Sequence, residues 1–90
     1  MKTLILKIKK NKNPNFNRWD IKNGRKIHAE IYLLKNGEDA GRFQIFLNGL
    51  AFYRDSLEDA KKFIIEQAES FYNTFNFSNI NEIKVLIIDA

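Results

Sequence analysis

Short alternating runs of hydrophobic and polar residues fill the first half of this 90-residue chain, and Asn-Gly dipeptides separate them. The dipeptides lie at 23–24, 36–37 and 48–49. Asn-Gly between apolar runs favours a tight hairpin, because both residues tolerate the positive φ angles of a type I′ turn. The pattern therefore predicts an antiparallel meander of four strands, near residues 16–22, 25–34, 42–47 and 50–54.

The last hairpin has a predictable register. A two-residue turn at Asn48-Gly49 fixes which residues of its strands are opposite each other, and opposite residues share one face of a sheet. One face is then wholly apolar, while the other carries Phe46 and Tyr53. The predicted pairs are Leu47 with Leu50, Phe46 with Ala51, Ile45 with Phe52, and Gln44 with Tyr53.

The first hairpin follows the same rule. A two-residue turn at Asn23-Gly24 pairs Trp19 with His28 and Asp20 with Ile27. The aliphatic positions of the second strand are expected to face a helix, and they are Ile27, Ala29, Ile31 and Leu33. The side chains expected on the other face are Trp19, His28, Tyr32, Phe46 and Tyr53.

A single helix is predicted after the meander. Ser56 is a favourable N-cap, and Asp59 three residues later resembles a capping box. Apolar residues then recur at helical spacing. The helix is expected to run from 57 to about 74, to fade in the Asn-rich stretch 73–81, and to cover the apolar face of the last hairpin.

Two further apolar segments, at 3–8 and 83–88, are predicted strands. The second is apolar on nearly both faces, which favours an interior position in the sheet. The order of elements predicts one α+β domain over residues 1–90. It would be a two-layer sandwich of a mainly antiparallel sheet and one long helix.

Composition narrows the classes of function. The chain has no cysteine and one histidine, which excludes a disulfide framework and thiolate chemistry and removes the usual zinc ligands. We do not expect the first residues to form a signal peptide, because Lys7 interrupts their apolar run too early. No segment approaches the ~20 apolar residues of a membrane span. We therefore expect a cytoplasmic protein, in the host cell if a phage encodes it.

The charge of the chain is uneven. Residues 1–36 carry ten Lys or Arg and two acids, whereas residues 37–90 carry five and nine. A basic half of this kind attracts anions, although such lysines often serve only as solvated surface. Lys, Asn and Ile are abundant, which is typical of an AT-rich genome and, at this length, of a small phage or mobile-element protein.

The aromatic side chains opposite the helix form the first candidate site. One helix cannot cover both faces of a sheet, and an exposed aromatic patch usually marks a partner site or a dimer interface. The alternative is that Phe75–Phe77 or the flanking strands fold over this face. With Trp19 as the anchor, the expected partner-binding residues are Trp19, Lys22, Arg25, Lys26, His28, Tyr32, Phe46 and Tyr53.

Nucleic acid is the alternative partner for the same face. Basic side chains would neutralise phosphates, while Trp19, His28 and Tyr32 would stack on bases. No RNP signature, helix-turn-helix or zinc-finger spacing is present. The residues expected to contact phosphates are Lys9, Lys10, Lys12, Arg18, Lys22, Arg25 and Lys26.

Catalytic and metal-binding interpretations have less support. His28 could act as a general acid or base, but the acid that would orient it, Asp20, falls on the opposite face in the predicted register. Asp55, Glu58 and Asp59 could be read as a metal cluster, but capping of the helix explains them more simply. The glycines belong to turns rather than to a phosphate loop. We expect no enzymatic activity and no bound cofactor or metal.

One stretch resembles a known family. FYRDSLEDAKKFIIEQ (52–67) is similar to the strand-to-helix junction of HicB-type antitoxins, where acids, Ser or Thr, and Leu open a helix behind a meander. The resemblance covers about a fifth of the chain, and it implies this fold, with antitoxin function as an alternative. The Pro-rich turn and the DNA-binding segment of that family have no counterpart, and no single residue is carried over.

These features predict a small non-enzymatic binding protein that inhibits or modulates a host protein or nucleoprotein complex, as anti-CRISPR proteins do. The prediction rests on size, composition and the lack of catalytic motifs. An RNA- or DNA-binding module and a HicB-like antitoxin are the alternatives, and the chain could also pair with itself as a homodimer.

Overall fold

The structure is a computed structural model that describes residues 2–13, 15, 17–74 and 82–90. Its helix and its strands lie within two residues of the expected limits, although residue 16 of the predicted meander falls outside the described residues. The elements are β1 (Lys2–Lys10), β2 (Arg18–Asn23), β3 (Lys26–Leu33), β4 (Phe43–Leu47), β5 (Leu50–Arg54), α1 (Leu57–Thr74) and β6 (Ile83–Asp89).

All of these strands belong to one sheet, in the order β5-β4-β3-β2-β1-β6. Neighbouring strands are antiparallel except for β1 and β6, which are parallel. The helix α1 packs against one face of this sheet, so the predicted α+β fold with a mainly antiparallel meander is confirmed. We call the face against α1 the inner face and the opposite face the outer face.

The hydrophobic core lies between the inner face and α1. Alternate residues of the strands are buried there, which is the period-two pattern of a sheet covered on one side. The Phe63 ring of α1 packs against Phe52 of β5, with ring centroids 4.7 Å apart. The buried residues are Leu6, Ile8, Ile21, Ala29, Ile31, Ile45, Leu47, Ala60, Phe63, Ile64, Ala68 and Val85.

The start of α1 is capped as predicted. The Oγ of Ser56 accepts a hydrogen bond from the backbone N–H of Asp59 at 3.0 Å. This bond satisfies one of the N–H groups that a helix leaves without partners in its first turn. Glu58 and Asp59 also place negative charge at the positive end of the helix dipole.

The expectation that β6 is an interior strand is wrong, because β6 lies at the edge of the sheet. Two side chains of α1 bond the backbone edge that faces away from β1. The amide of Asn73 accepts from the N–H of Ile83 at 2.8 Å and donates to its carbonyl at 3.0 Å. The Oε2 of Glu69 accepts from the N–H of Val85 at 2.9 Å. The helix therefore takes the place of a neighbouring strand along this stretch.

The last hairpin has the predicted register, with every predicted pair present. Asn48 and Gly49 both have positive φ, 52° and 77°, as a type I′ turn requires. The dipeptide Asn36-Gly37 instead lies in the longer connection between β3 and β4. Two of the three Asn-Gly signals therefore lie at tight hairpins.

The turn of the first hairpin is displaced from its predicted position by one residue. Asn23 pairs with Lys26, so the two turn residues are Gly24 and Arg25. Of these two, Gly24 alone has positive φ, 64°, as in a type II′ turn. A turn displaced by one residue shifts the pairing by two, which by itself leaves every side chain on its predicted face.

A β-bulge after this turn reverses the faces. Lys22 lies opposite Ile27, whereas the preceding Ile21 lies opposite Ala29, so His28 is the additional residue of β3. This further shift by one residue moves each side chain of β2 before the bulge to the other face.

The predicted pairing of Trp19 with His28 is therefore wrong. Trp19 lies opposite a buried isoleucine of β3 and packs against the core on the inner face. Asp20, expected on the helix side, lies opposite Glu30 on the outer face. Ile27, also expected to face the helix, is 44 % exposed. Because of the bulge, the outer face carries Asp20 where Trp19 was predicted.

Candidate interaction surface

The outer face includes three regions that contain predicted binding residues. The aromatic region consists of Tyr32, Phe46 and Tyr53, on β3, β4 and β5. The polar network consists of Arg18, Asp20 and Glu30, on β2 and β3. The lysine groove, between β1 and β2, is lined by Lys7, Lys9, Lys10, Lys12 and Lys22 with Asn11, Asp20, Gly24 and Ala90.

The aromatic region joins three strands. Tyr32 and Phe46 are in edge-to-face contact, with ring centroids 5.5 Å apart. Phe46 remains 39 % exposed. The hydroxyl of Tyr53 accepts a hydrogen bond from Nε2 of Gln44 at 3.0 Å. Tyr32, Phe46 and Tyr53 thus lie on one face as predicted, and their role in binding stays a prediction.

A shallow cavity of about 460 Å³ opens beside the aromatic region. Tyr32 and Phe46 line it together with Ile27 and His28. The Nε2 of His28 is buried and has no hydrogen-bond partner among the described residues. Burial also lowers the pKa of His28 below the usual value of 6.5, so the ring is neutral at physiological pH.

His28 also borders a larger cavity of about 580 Å³ on the inner side, between the tip of the first hairpin and the second half of α1. The bulge explains why His28 borders cavities on both sides of the sheet, because a bulged residue is not held by regular strand pairing. His28 therefore lies at the junction of the two cavities.

The polar network fixes the position of Tyr32. Arg18 Nε donates to Asp20 Oδ1 at 2.7 Å, and Arg18 Nη2 lies 3.6 Å from Glu30 Oε2. The hydroxyl of Tyr32 donates to the same Glu30 oxygen at 2.8 Å. Burial and this hydrogen bond raise the pKa of Tyr32. The carboxylate of Asp20 is therefore engaged by Arg18 and not by His28.

The lysine groove contains several of the residues expected to contact phosphates. Its cavity of about 280 Å³ is bordered by Lys9, Lys10, Lys12 and Lys22, which were expected, and by Lys7, which the sequence prediction omits. The signal for Lys7 is the period-two alternation of β1, which places it on the same face as Lys9. Lys7 and Lys22 are also direct cross-strand neighbours.

Other predicted binding residues are separated from these regions. The ring of Trp19 lies on the inner face, 5.8 Å from that of Phe43 and 5.6 Å from Nζ of Lys10. The expected roles of Trp19 as an outer-face anchor or stacking platform therefore lose their basis. Arg25 and Lys26 are exposed at the tip of the first hairpin.

An aliphatic region at the β1–β6 end of the outer face was missed from the sequence. Ile5 lies beside Leu86, and Ile88 lies beside Lys7. Ile5, Leu86 and Ile88 are exposed by 49 %, 43 % and 42 %. The signal for this region was that the last strand carries apolar residues on both faces, since one helix can cover only one face.

The carboxylates near the start of α1 serve local structure. Asp55 forms an ion pair with Arg42 at 3.0 Å, and Glu58 forms one with Lys61 at 3.3 Å. Within the described ranges, no group of three or more His, Asp or Glu side chains could hold a metal ion. Over the same ranges, α1 is not long and apolar enough to cross a membrane.

The alternative in which Phe75–Phe77 folds over the outer face concerns residues outside the described part of the chain. The flanking strands do not fold over it, because β5 and β6 are the two edges of the same sheet.

Comparisons with protein-family models, curated proteins and solved structures found no match to this chain. The stretch 52–67, which resembles the HicB-type junction, does form the end of β5, a capped turn and the start of α1. It supports the strand-to-helix arrangement, and the antitoxin function that it implies stays a prediction.

Proposed function

We propose that this protein is a small non-enzymatic binding protein that docks on a partner protein through its aromatic region. The observation that carries the proposal is the Tyr32–Phe46 pair, which lies partly exposed beside a cavity that His28 borders. The centres of protein interfaces are enriched in aromatic residues packed beside pockets, and their rims are polar. The polar network supplies such a rim.

The cavity suits an apolar side chain that protrudes from the partner. Ile27 and Phe46 provide apolar walls against which such a side chain would pack. Because Glu30 already holds Tyr32 in place, docking would also lose less side-chain entropy.

The wider proposal is that the chain acts in the cytoplasm of a host cell. It would be a phage or mobile-element inhibitor of a host protein or nucleoprotein complex, in the manner of anti-CRISPR proteins. Its support is the length of the chain and its abundance of Lys, Asn and Ile. A second copy of this chain is the competing occupant of the aromatic region.

Affinity capture from a host extract, followed by titration of the purified components, tests this function. Phe46→Ser and Tyr32→Ala should each weaken binding at least about tenfold, as expected of residues near an interface centre. Leu50→Ser is the matched control, because it removes a 60 % exposed apolar side chain outside the aromatic region. Circular dichroism establishes that each variant is folded.

Unchanged partner affinity in both aromatic variants would overturn the proposal. Sedimentation analysis of the isolated protein tests whether a second copy of this chain occupies the aromatic region instead. Self-association that Phe46→Ser abolishes and Leu50→Ser preserves would assign the aromatic region to a homodimer rather than to a different protein.

A further inference from the structure

The lysine groove concentrates positive charge on a part of the outer face that is separated from the aromatic region by the polar network. Five lysines and one aspartate border it, but Nζ of Lys10 lies beside the inner-face ring of Trp19, 5.6 Å from its centroid. The carboxylate of the aspartate, Asp20, is bound by Arg18 at 2.7 Å. Arg18 offsets part of this negative charge, since it also lies 3.6 Å from Glu30. The lysines outnumber the acid in the groove wall, so the groove has a positive potential.

Lys7, Lys9 and Lys22 lie close together, and Asp20, the acid that borders the groove, lies opposite Lys9 and is engaged by Arg18. Lys7 lies directly opposite Lys22 on the neighbouring strand, an arrangement in which like charges destabilise a sheet. Neither Lys7, Lys9 nor Lys22 forms an ion pair with another described residue. An anion bound between these side chains would remove the repulsion.

The spacing of the lysines suits a chain of phosphates. Lys7 and Lys9 project from the same face of β1, two residues and therefore roughly 6.6–6.8 Å apart. This distance is close to the separation of successive phosphates along a nucleic-acid strand. Lys22 on β2 adds a third charge beside Lys7. From this geometry we infer that the lysine groove binds the sugar-phosphate backbone of nucleic acid, independently of base sequence.

The lining of the groove favours nucleic acid over an acidic protein. Lysine is depleted in protein–protein interfaces, whereas it is a principal phosphate ligand in nucleic-acid complexes. The other residues that line the groove with the lysines are Asn11, Asp20, Gly24 and Ala90. Among the described residues no aromatic side chain borders it, and Trp19 lies on the inner face, so these residues would contact the backbone rather than stack on bases.

The inference goes beyond the proposed docking on a partner protein and does not depend on it. The aromatic region and the lysine groove lie on different strands, with the polar network between them. Variants of one region therefore leave the other in place, and failure of one proposal is distinguishable from failure of the other.

Fluorescence anisotropy with labelled 20-nucleotide single-stranded and duplex oligonucleotides of several sequences tests the inference. For three phosphates contacted, the slope of log affinity against log salt should be about −2 for single strands and about −3 for duplex. Single-strand affinity should then fall about 20-fold between 50 and 200 mM salt, with no dependence on base sequence.

The double variant Lys7→Gln/Lys22→Gln should reduce the single-strand slope to about −0.7, because one contact remains. Lys35→Gln/Lys62→Gln is the matched control, since it changes the net charge equally at exposed positions that do not border the groove. The control should retain the parent slope. If the double variant does not fold, Lys9→Gln carries the test, with an expected slope reduction of about 0.7.

Three outcomes would overturn the inference. The first is no oligonucleotide binding at 50 mM salt. The second is an equal loss of slope in the groove variant and in the control, which would indicate a general charge effect. The third is groove-dependent binding to phosphatidylserine vesicles or to inorganic phosphate but not to oligonucleotides, which would assign the groove to a membrane surface or to a small anion.

Discussion

The side-chain amide of Asn73 bonds both backbone groups of Ile83, its N–H at 2.8 Å and its carbonyl at 3.0 Å. At this point the amide acts as the peptide group of a neighbouring strand. Glu69 extends the same protection to the N–H of Val85. The helix thus has two roles, because it covers the core and also protects a sheet edge that could otherwise pair with other chains.

Replacing Asn73 by alanine should lower the free energy of unfolding by about 1–3 kcal/mol, because two backbone groups of Ile83 lose their partner. Urea unfolding measures the change. Asn36→Ala, in the exposed connection between β3 and β4, is the control and should change stability by less than about 0.5 kcal/mol. Equal effects of the two variants would show that water replaces the Asn73 amide without cost.

Trp19→Ala should destabilise the protein by about 2–3 kcal/mol, somewhat less than the loss of a fully buried aromatic residue, because Trp19 is half-buried against the core. Phe46→Ala on the outer face should cost about 1 kcal/mol, mainly its ring contact with Tyr32. Chemical unfolding of both variants measures which substitution lowers the free energy of unfolding more. A larger loss for Phe46→Ala would contradict the placement of Trp19 on the inner face.

The two hairpins differ in how far their sequences determine their registers. In the last hairpin the turn at Asn48-Gly49 and the alternation of both strands lead to the same pairing, so the prediction was correct. In the first hairpin the turn preference alone was used. The sequence of β3 alternates regularly through Ile27, Ala29 and Ile31, yet the bulge leaves Ile27 exposed while the other two are buried. The regular sequence pattern therefore gives no sign of the additional residue.

A signal for the correct face was nevertheless present in β2. Its odd positions, Trp19 and Ile21, are apolar, whereas Arg18, Asp20 and Lys22 are charged. The predicted register would have exposed Ile21 and buried Asp20, which is costly. The observed register buries Ile21 completely and leaves Asp20 in an ion pair on the outer face. Weighing burial above turn preference therefore places Trp19 on the inner face.

The edge position of β6 could not be predicted in the same way. An apolar run is compatible with an interior strand or with an edge that another element covers. The deciding contacts are those of Asn73 and Glu69, which come from a different part of the chain. Such long-range side-chain to backbone bonds leave no periodic pattern in the sequence.

His28 should make the folded state less stable in mild acid. Because burial lowers the pKa of His28 in the folded protein, the unfolded chain takes up a proton at higher pH than the folded chain does. The contribution to stability is complete above about pH 6.5 and is lost as the pH falls towards the folded pKa. Of the charged residues that border the two cavities, Glu30 is already engaged by Arg18 and Tyr32, and Lys26 disfavours a second positive charge.

Thermal unfolding of the parent protein and of His28→Gln between pH 5 and pH 8 measures this effect, since glutamine does not titrate. The stability difference between the two proteins should shift in favour of His28→Gln as the pH falls below about 6.5. Carboxylates contribute equally to both proteins and cancel in the comparison. Parallel pH profiles would show that His28 has the same pKa in the folded and unfolded states.

Lys22→Glu should make the protein more stable while it weakens anion binding in the lysine groove. The new carboxylate would lie opposite Lys7, and replacing a like-charge pair by an opposite pair should contribute about 0.2–1 kcal/mol. Lys26→Glu is the control, because it makes the same charge change opposite the neutral Asn23. The gain measured by urea unfolding should be larger for Lys22→Glu and should shrink at 0.5 M salt, where exposed charges are screened. A loss of stability on Lys22→Glu, or an equal gain in the control, would mean that Lys7 and Lys22 do not repel each other, and the electrostatic case for an anion between them would fail.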